Sequence, residues 1–263
     1  MTRNRCLQIL DLKFSVPQFL RMKLPTQRLW LFLLALLLSL VAHAGNDSVR
    51  AIPGWGQVID PDGDCTITAS DGKITVTVPG TTHDLSSYHS IYKKRNAPRV
   101  LQEVDGDFTV EVEVSGTFEP GTAGTLPEAY PFNGAGLLLW DNDADYVRFE
   151  RNVWVTSQGE HSSYTPLFEY WQNDQDLMQD QPSSKPFFKG PSTWLRITRQ
   201  GNQLHAAVSN DGTNWIEQNP VTVQLPEKIE VGVDAINTSK KPFKVEFSEL
   251  KLVSRQTNSI HKN

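Results

Sequence analysis

One predicted β-hairpin, residues 137–151, carries side chains that could bind a polar ligand. Pairing Trp140 with Tyr146 across the loop 141–145 separates two faces of different chemistry, because side chains alternate along a strand. One face is apolar and carries Leu137, Leu139, Val147 and Phe149. The reverse face carries Trp140, Tyr146, Arg148 and Glu150. The first face predicts part of a core, and the second predicts a binding surface.

The chemistry of this second face suits a sugar. A pyranose has an apolar C–H face that packs on an aromatic ring, and its hydroxyls pair with charged side chains. Aromatic and basic residues of other predicted strands extend the surface, namely Tyr170 or Trp171, Trp194 and Arg196. The alternative is structural, with Arg148 and Glu150 forming an ion pair beneath packed rings. The sequence leaves both interpretations open.

Glycoside hydrolysis needs two carboxyl groups about 5 to 9.5 Å apart, one of which keeps its proton. Glu111 and Glu113 share one face of a predicted strand, and we interpret them as solvated strand residues. Glu150 with Glu169 is the alternative catalytic pair. The sequence contains no phosphate-binding glycine loop, no Gly-x-Ser-x-Gly motif and no Cys/His nucleophile pair.

Two short loops carry aspartates at alternate positions, a pattern that supplies oxygen ligands for calcium. These residues are Asp60, Asp62 and Asp64 in one loop and Asp141, Asp143 and Asp145 in the other. Cys65 and Tyr146 stand where an EF-hand loop needs glycine, and ordinary turns favour the same acidic residues. The histidines lack a zinc-ligand spacing. We therefore predict no cofactor, with structural calcium as the alternative.

The pattern of residues 1–44 predicts a secretory signal peptide. Basic side chains precede an apolar run at residues 29–41, and Ala42 and Ala44 follow it as in a cleavage site. The run is shorter than the ~20 residues that cross a bilayer. We therefore expect cleavage before Gly45, a secreted or periplasmic protein, and no stable membrane insertion. A start at Met22 would give the leader a more usual length.

Residues 45–263 have the length of one all-β domain and carry 19 basic against 29 acidic residues. This negative charge argues against nucleic acid as a partner. Cys65 is the only cysteine beyond the leader, so no internal disulfide can form. The apolar core must stabilise the domain, and we interpret Cys65 as a small buried residue rather than a reactive thiol.

The predicted fold is all-β. Apolar and polar residues alternate with period two between turn signals, as in the strands that flank residues 70–72 and 200–202. One extra residue near Ser248 predicts a β-bulge. We place the domain at residues 45–253 and a polar tail at 254–263.

Several segments resemble one known family: residues 60–65 (DPDGDC), 96–101 (NAPRVL), 106–110 (GDFTV), 133–140 (NGAGLLLW) and 146–151 (YVRFER). The chain resembles the domain-of-unknown-function family that includes the fungal regulation-of-enolase proteins, in the concanavalin A-like lectin and glucanase superfamily. The resemblance implies an antiparallel two-sheet jelly roll with a concave face, in a superfamily of sugar binders and sugar-cleaving enzymes. The glucanase motif resembles E-x-D-x-x-E, whereas residues 111–116 read EVEVSG and lack the third acid.

The resemblance and the hairpin together lead us to expect a noncatalytic carbohydrate-binding protein. Trp140 and Tyr146 would stack on the sugar, and Arg148 and Glu150 would bind its hydroxyls. A glycan hydrolase or lyase that uses Glu150 and Glu169 is the first alternative. The second is an envelope protein that binds another protein through its acidic surface and long loops.

Overall fold

The computed structural model describes residues 50–85, 94–127, 130–162, 165–177 and 190–255. The predicted signal peptide, most of the predicted tail and residues 178–189 lie outside these ranges. A single compact unit spans Val49–Asn263. The described residues form strands, turns and loops, and none of them belongs to a helix that could span a membrane.

Sixteen strands occur in the described residues. They are β1 (Ala51–Ile52), β2 (Gly56–Ile59), β3 (Thr66–Ser70), β4 (Lys73–Val78), β5 (Arg99–Asp105), β6 (Asp107–Gly116), β7 (Phe132–Asn142), β8 (Asp145–Trp154), β9 (Thr165–Gln172), β10 (Gln175–Asp176), β11 (Ser192–Gln200), β12 (Gln203–Ser209), β13 (Trp215–Glu217), β14 (Val221–Thr222), β15 (Lys228–Asn237) and β16 (Phe243–Arg255).

The strands form two antiparallel sheets, as the sequence predicts for a jelly-roll sandwich. Sheet I has the order β1-β2-β5-β15-β7-β8-β9-β10. Sheet II has the order β13-β12-β11-β6-β16-β4-β3, and β14 pairs with β12. Six neighbouring pairs in these orders join strands that are not consecutive in the chain, among them β5 with β15 and β6 with β16, so the sandwich depends on long-range pairing.

The core lies between the sheets and consists of the apolar residues of the alternating strands. Fully buried examples are Leu137, Leu139, Phe149 and Phe168 from sheet I and Val112, Leu195, Ile197 and Phe247 from sheet II. Burial of one such side chain stabilises the fold by about 1.5–3 kcal/mol. This continuous core holds the two sheets together without a disulfide.

Local pairing follows the sequence predictions. In the β7–β8 hairpin, Trp140 lies opposite Tyr146 and Leu139 opposite Val147, which confirms the predicted register. The hairpin around residues 70–72 and the pairing of β11 with β12 are also confirmed. The predicted bulge appears as a register shift between Ser248 and Lys251.

Candidate functional site

The face of sheet I that points away from the core carries a group of buried charged and aromatic side chains, which we call the outer-face cluster. Strand register arranges them in rows, because opposite residues of antiparallel strands share a face. One row is Trp171, Tyr146 and Trp140, the next is Glu169 and Arg148, and the third is Glu150, Gly136, Asp234 and Arg99.

Arg148 lies at the centre of the cluster and is 3% exposed. Its Nε donates to Oε2 of Glu169 at 3.0 Å, and its Nη2 contacts the same oxygen. Its Nη1 lies 3.6 Å from Oε1 of Glu150 and 3.9 Å from Oδ1 of Asp84. Three carboxylates therefore surround one guanidinium, which offsets much of the cost of burying its charge.

Glu150 and Asp234 come together across Gly136, the residue between them in the third row. A side chain at Gly136 would collide with β8, because its Cβ would lie 2.1 Å from the carbonyl oxygen of Phe149. Gly134 leaves room in the same way, because the Cβ of any larger residue at this position would lie 2.5 Å from Oε2 of Glu150. Two glycines of β7 thus make the space that the carboxyl groups occupy.

Burial changes the protonation of this pair. Glu150 is fully buried and Asp234 is 1% exposed. Burial raises the pKa of Glu150 well above its ordinary value; Arg148 opposes this rise, and the negative charge of Asp234 adds to it. Burial also raises the pKa of Asp234 to about 6, against the opposing effect of Arg148. The two carboxyl groups hydrogen-bond to each other, and burial favours the protonated form of each while Arg148 favours the ionised form.

Several polar atoms of the cluster have no hydrogen-bond partner in the structure. Arg99 Nε and Trp171 Nε1 have none, Arg148 Nη1 has only ion-pair contacts at 3.6 and 3.9 Å, and the oxygens of Glu150 and Asp234 have no partner apart from the contact between these two carboxyl groups. Leaving a buried polar group unpaired costs about 1–3 kcal/mol. So many unpaired atoms in one place indicate that water or a ligand completes the site.

The aromatic row forms one wall of the cluster. Tyr146 stacks on Trp140 at 5.2 Å between ring centroids and on Trp171 at 5.9 Å. The guanidinium of Arg99 lies 4.3 Å from the ring centroid of Trp140, and that of Arg95 lies 5.1 Å from the Tyr146 centroid. Both faces of Tyr146 are therefore occupied, and the predicted stacking of its ring on a sugar is wrong for this conformation.

Two chain segments, residues 83–85 and 94–98, cover the outer-face cluster. Leu85 and Ala97 are fully buried against Trp140 and Tyr146, and Tyr146 Oη donates to the carbonyl oxygen of Leu85. The segments bind each other, since the backbone N–H of Asn96 donates to the Asp84 carbonyl at 3.1 Å. The face that the sequence predicts to be a surface is thus closed.

Three residues predicted for the ligand surface lie elsewhere. Tyr170 pairs with Val147 and shares its phase, so its side chain points into the core between the sheets. Trp194 and Arg196 belong to β11 in sheet II. Arg196 contacts Glu111 at 3.6 Å on the outer side of that sheet. Their placement in this surface was wrong, because the sequence pattern does not show which sheet contains a strand.

The alternative catalytic pair is also rearranged. Arg148 engages Glu169, whereas Asp234 is the acid that lies beside Glu150. Glu113 accepts a hydrogen bond from Ser248 Oγ at 2.8 Å, and Glu111 contacts Arg196. Glu111 and Glu113 are half-buried strand residues on sheet II, away from the outer-face cluster.

The two aspartate loops differ. Asp145 accepts the backbone N–H of Asn173 at 2.9 Å, and the group Asp141, Asp143 and Asp145 does not converge in the described structure. In the other loop Asp60 and Asp64 lie together.

Sequence reasoning missed Asp234 and Arg99 as members of the cluster. Asp234 follows Val233 in a strand whose buried residues are otherwise mostly apolar, and an acid in such a strand is the signal that could have found it. Arg99 begins β5 and offers no such signal. Their proximity to Glu150 depends on the pairing of β15 with β5 and β7.

Solved structures with this fold include proteins of several kinds. A functionally unknown protein from Saccharomyces cerevisiae has a TM-score of 0.61 at 17% identity, covering 76% of this chain and 97% of that chain. The GH43 protein BlXynB from Bacillus licheniformis has a TM-score of 0.54 at 12% identity, covering 80% of this chain and 38% of that chain. The carbohydrate-binding module CBM66 from Bacillus subtilis has a TM-score of 0.42 at 13% identity, covering 78% of this chain and all of that one.

These identities are low, so the similarity to the first two structures shows a shared two-sheet β-sandwich fold and not a shared activity. No curated protein matches the sequence. The family described as "protein of unknown function (DUF1349)" matches residues 64–255, which include the outer-face cluster and every strand of the two sheets except β1 and β2. The chain therefore belongs to the DUF1349 family, as its sequence resemblance predicts.

Proposed function

We propose that this protein is a secreted or periplasmic carbohydrate-binding protein that acts without catalysis and holds its ligand at the polar centre of the outer-face cluster. The observation that carries the proposal is the convergence of Glu150, Asp234 and Arg148 in one buried place, where their polar atoms pair mainly with one another. The basic, apolar leader at residues 1–44 supports export.

The chemistry of these three groups complements hydroxyls. A carboxyl group accepts hydrogen bonds when ionised and also donates one when protonated, and Nη1 of Arg148 donates. Burial raises the pKa of both Glu150 and Asp234, which favours the form that can donate. A hydroxyl both donates and accepts, so adjacent sugar hydroxyls can complete the hydrogen bonding of all three. Hydrogen bonds to charged groups contribute about 1.5–3 kcal/mol each.

The aromatic row contributes in a different way from that expected of the sequence. Trp140, Tyr146 and Trp171 stack on one another and present edges rather than free faces to a ligand. Their row lies next to Arg148 and Glu169, so they exclude water from that ion pair and keep its surroundings at low dielectric. Trp171 Nε1 is unpaired and supplies one further donor.

Ligand entry requires movement of the covering segments, because Glu150 is fully buried. These segments are joined to the cluster through Leu85, Ala97 and the hydrogen bond from Tyr146. Sugar binding should therefore change backbone hydrogen exchange at residues 94–98.

A glycan array followed by calorimetric titration tests the proposal. We expect Glu150→Gln and Asp234→Asn each to weaken binding about tenfold or more, since each removes a charged or acidic hydrogen-bonding group from the site. Glu111→Gln is the matched control, because it makes the same change beside an arginine on sheet II. Binding that survives both cluster substitutions, or no binding to any glycan, would contradict the proposal.

A second candidate function is a glycan hydrolase or lyase. The observation that favours it is the close approach of two buried carboxyl groups, Glu150 and Asp234, whose raised pKa values suit a pair that shares a proton as general acid and base. Incubation of the protein with the glycan that it binds, followed by product analysis, separates the candidates. Turnover that Asp234→Asn abolishes while binding persists would establish the enzyme.

A further inference from the structure

We propose that Asp60, Asp64, Cys65 and His83 bind one zinc ion or a similar divalent transition metal. One ligand atom of each residue lies within 4.8 Å of the others. Four donors at such distances need only small movements to reach the 2.0–2.3 Å metal–ligand bonds of a tetrahedral zinc site. His83 also belongs to the covering segment 83–85, so the site adjoins the outer-face cluster, but none of its four residues is a proposed sugar ligand.

Two parts of the chain supply the four residues. Asp60, Asp64 and Cys65 lie in the loop between β2 and β3, and His83 forms an isolated bridge with Asn237. The backbone N–H and C=O of His83 both hydrogen-bond to Asn237 at 3.0 Å. The imidazole is completely buried, so the fold holds this ligand in place before a metal arrives.

The orientation of the imidazole is that of a metal ligand. Its Nδ1 lies 3.3 Å from the carbonyl oxygen of Thr81, and its Nε2 lies 2.8 Å from Oδ1 of Asp64. Without metal, Nε2–H can donate to this carboxylate. Metal binding would replace that hydrogen bond and move the two atoms slightly apart, with Nδ1–H then donating to the Thr81 carbonyl, as ligating histidines commonly do.

The carboxylate of Asp60 has one oxygen that could bind a metal ion. Its Oδ2 accepts the backbone N–H of Cys65 at 2.9 Å, which fixes the turn of the loop. Its Oδ1 is buried and has no hydrogen-bond partner in the structure. A metal ion at the centre of the four residues would satisfy this oxygen.

The donor set selects the metal. Calcium prefers oxygen ligands, whereas a thiolate with an imidazole and carboxylates suits zinc. On binding, the thiol of Cys65 loses its proton to solvent and the sulfur–metal bond forms without any redox change. Asp62 stands outside the set, since its Oδ2 accepts from Asn96 Nδ2 at 2.6 Å and lies 4.0 Å from His83 Nε2.

Titration of the metal-free protein with Co²⁺, followed by displacement with Zn²⁺, tests the site. We expect one Co²⁺ per chain, visible bands of tetrahedral coordination and a near-ultraviolet sulfur-to-cobalt charge-transfer band. Cys65→Ser should abolish the charge-transfer band and weaken Zn²⁺ binding about tenfold or more. Asp62→Asn is the matched control in the same loop and should leave the spectrum and the affinity unchanged.

Two results would overturn the site. One is the absence of stoichiometric Co²⁺ and Zn²⁺ binding by the folded wild-type protein. The other is binding of Ca²⁺ in preference to Zn²⁺ with loss of affinity in Asp62→Asn. This result would indicate a calcium site formed by Asp60, Asp62 and Asp64 instead. Circular dichroism of metal-free Cys65→Ser shows whether this variant folds, and His83→Gln gives a second variant that removes a ligand without touching the loop.

Discussion

Replacing Asp234 with asparagine should remove a pH dependence from the folding stability of the protein. The carboxyl of Asp234 is 1% exposed in the folded state, and burial raises its pKa from 3.8 to about 6. Unfolding returns the group to water and lowers its pKa to the ordinary value. Between these two values the folded protein binds more protons than the unfolded chain.

Because the folded protein binds more protons than the unfolded chain, its free energy of unfolding decreases as the pH rises through this range. A carboxyl with a raised folded pKa contributes most stability below its unfolded pKa, and this contribution is lost as pH rises toward the folded pKa. A shift of about two units corresponds to about 3 kcal/mol in total, of which about 2 kcal/mol falls between pH ~4.5 and ~7.5. Glu150 changes in the same direction, because its pKa is also raised. Asparagine keeps the shape of the side chain and does not titrate.

Urea unfolding followed by tryptophan fluorescence measures the effect at pH ~4.5 and ~7.5. We expect the pH-dependent change in unfolding free energy to differ by about 2 kcal/mol between wild type and Asp234→Asn. Asp105→Asn serves as the control, because Asp105 lies exposed at the end of β5. Parallel changes in wild type and Asp234→Asn would refute the argument that Asp234 is buried and ionises with difficulty.

Three further substitutions test other parts of the structure by the same unfolding measurement. Gly136→Ala should destabilise the fold by about 1–3 kcal/mol or more, because the new Cβ would lie 2.1 Å from the carbonyl oxygen of Phe149. Tyr146→Phe should cost about 1–3 kcal/mol, since it leaves the buried Leu85 carbonyl without its donor. Arg196→Ala should change stability by less than about 1 kcal/mol, because its ion pairs are solvent-accessible.

Three results would contradict these expected changes in stability. Unchanged stability of Gly136→Ala would mean that β7 and β8 lie farther apart than the structure has them. Unchanged stability of Tyr146→Phe would mean that water or another donor reaches the Leu85 carbonyl. A large loss of stability in Arg196→Ala would mean that another part of the protein buries the outer side of sheet II.

Features that depend on neighbouring residues could be predicted from the sequence. The alternation of Leu137, Leu139, Val147 and Phe149 with polar and aromatic residues predicts both faces of the β7–β8 hairpin and its register. The extra residue near Ser248 predicts the bulge in β16. These predictions succeed because a strand repeats every two residues and a short turn sets the pairing, so all the information lies within about fifteen residues.

The composition of the candidate site could be predicted only in part. Trp140, Tyr146, Arg148 and Glu150 share a face as expected, but Tyr170 belongs to the core and Trp194 to the other sheet. The phase of β9 relative to β8 depends on how the two strands pair, because no tight turn joins them. Which sheet contains β11 depends on its pairing with β6, and no local pattern records either choice.

The sequence alone determined an all-β chain with alternating strands, a negative net charge and a hairpin with two chemically different faces. Only the tertiary structure decided that Asp234 approaches Glu150, that residues 83–85 and 94–98 close the face, and that His83 reaches the loop of Asp60. The physical reason is that hydrophobic alternation is a local property, whereas burial and pKa depend on contacts between strands far apart in the chain.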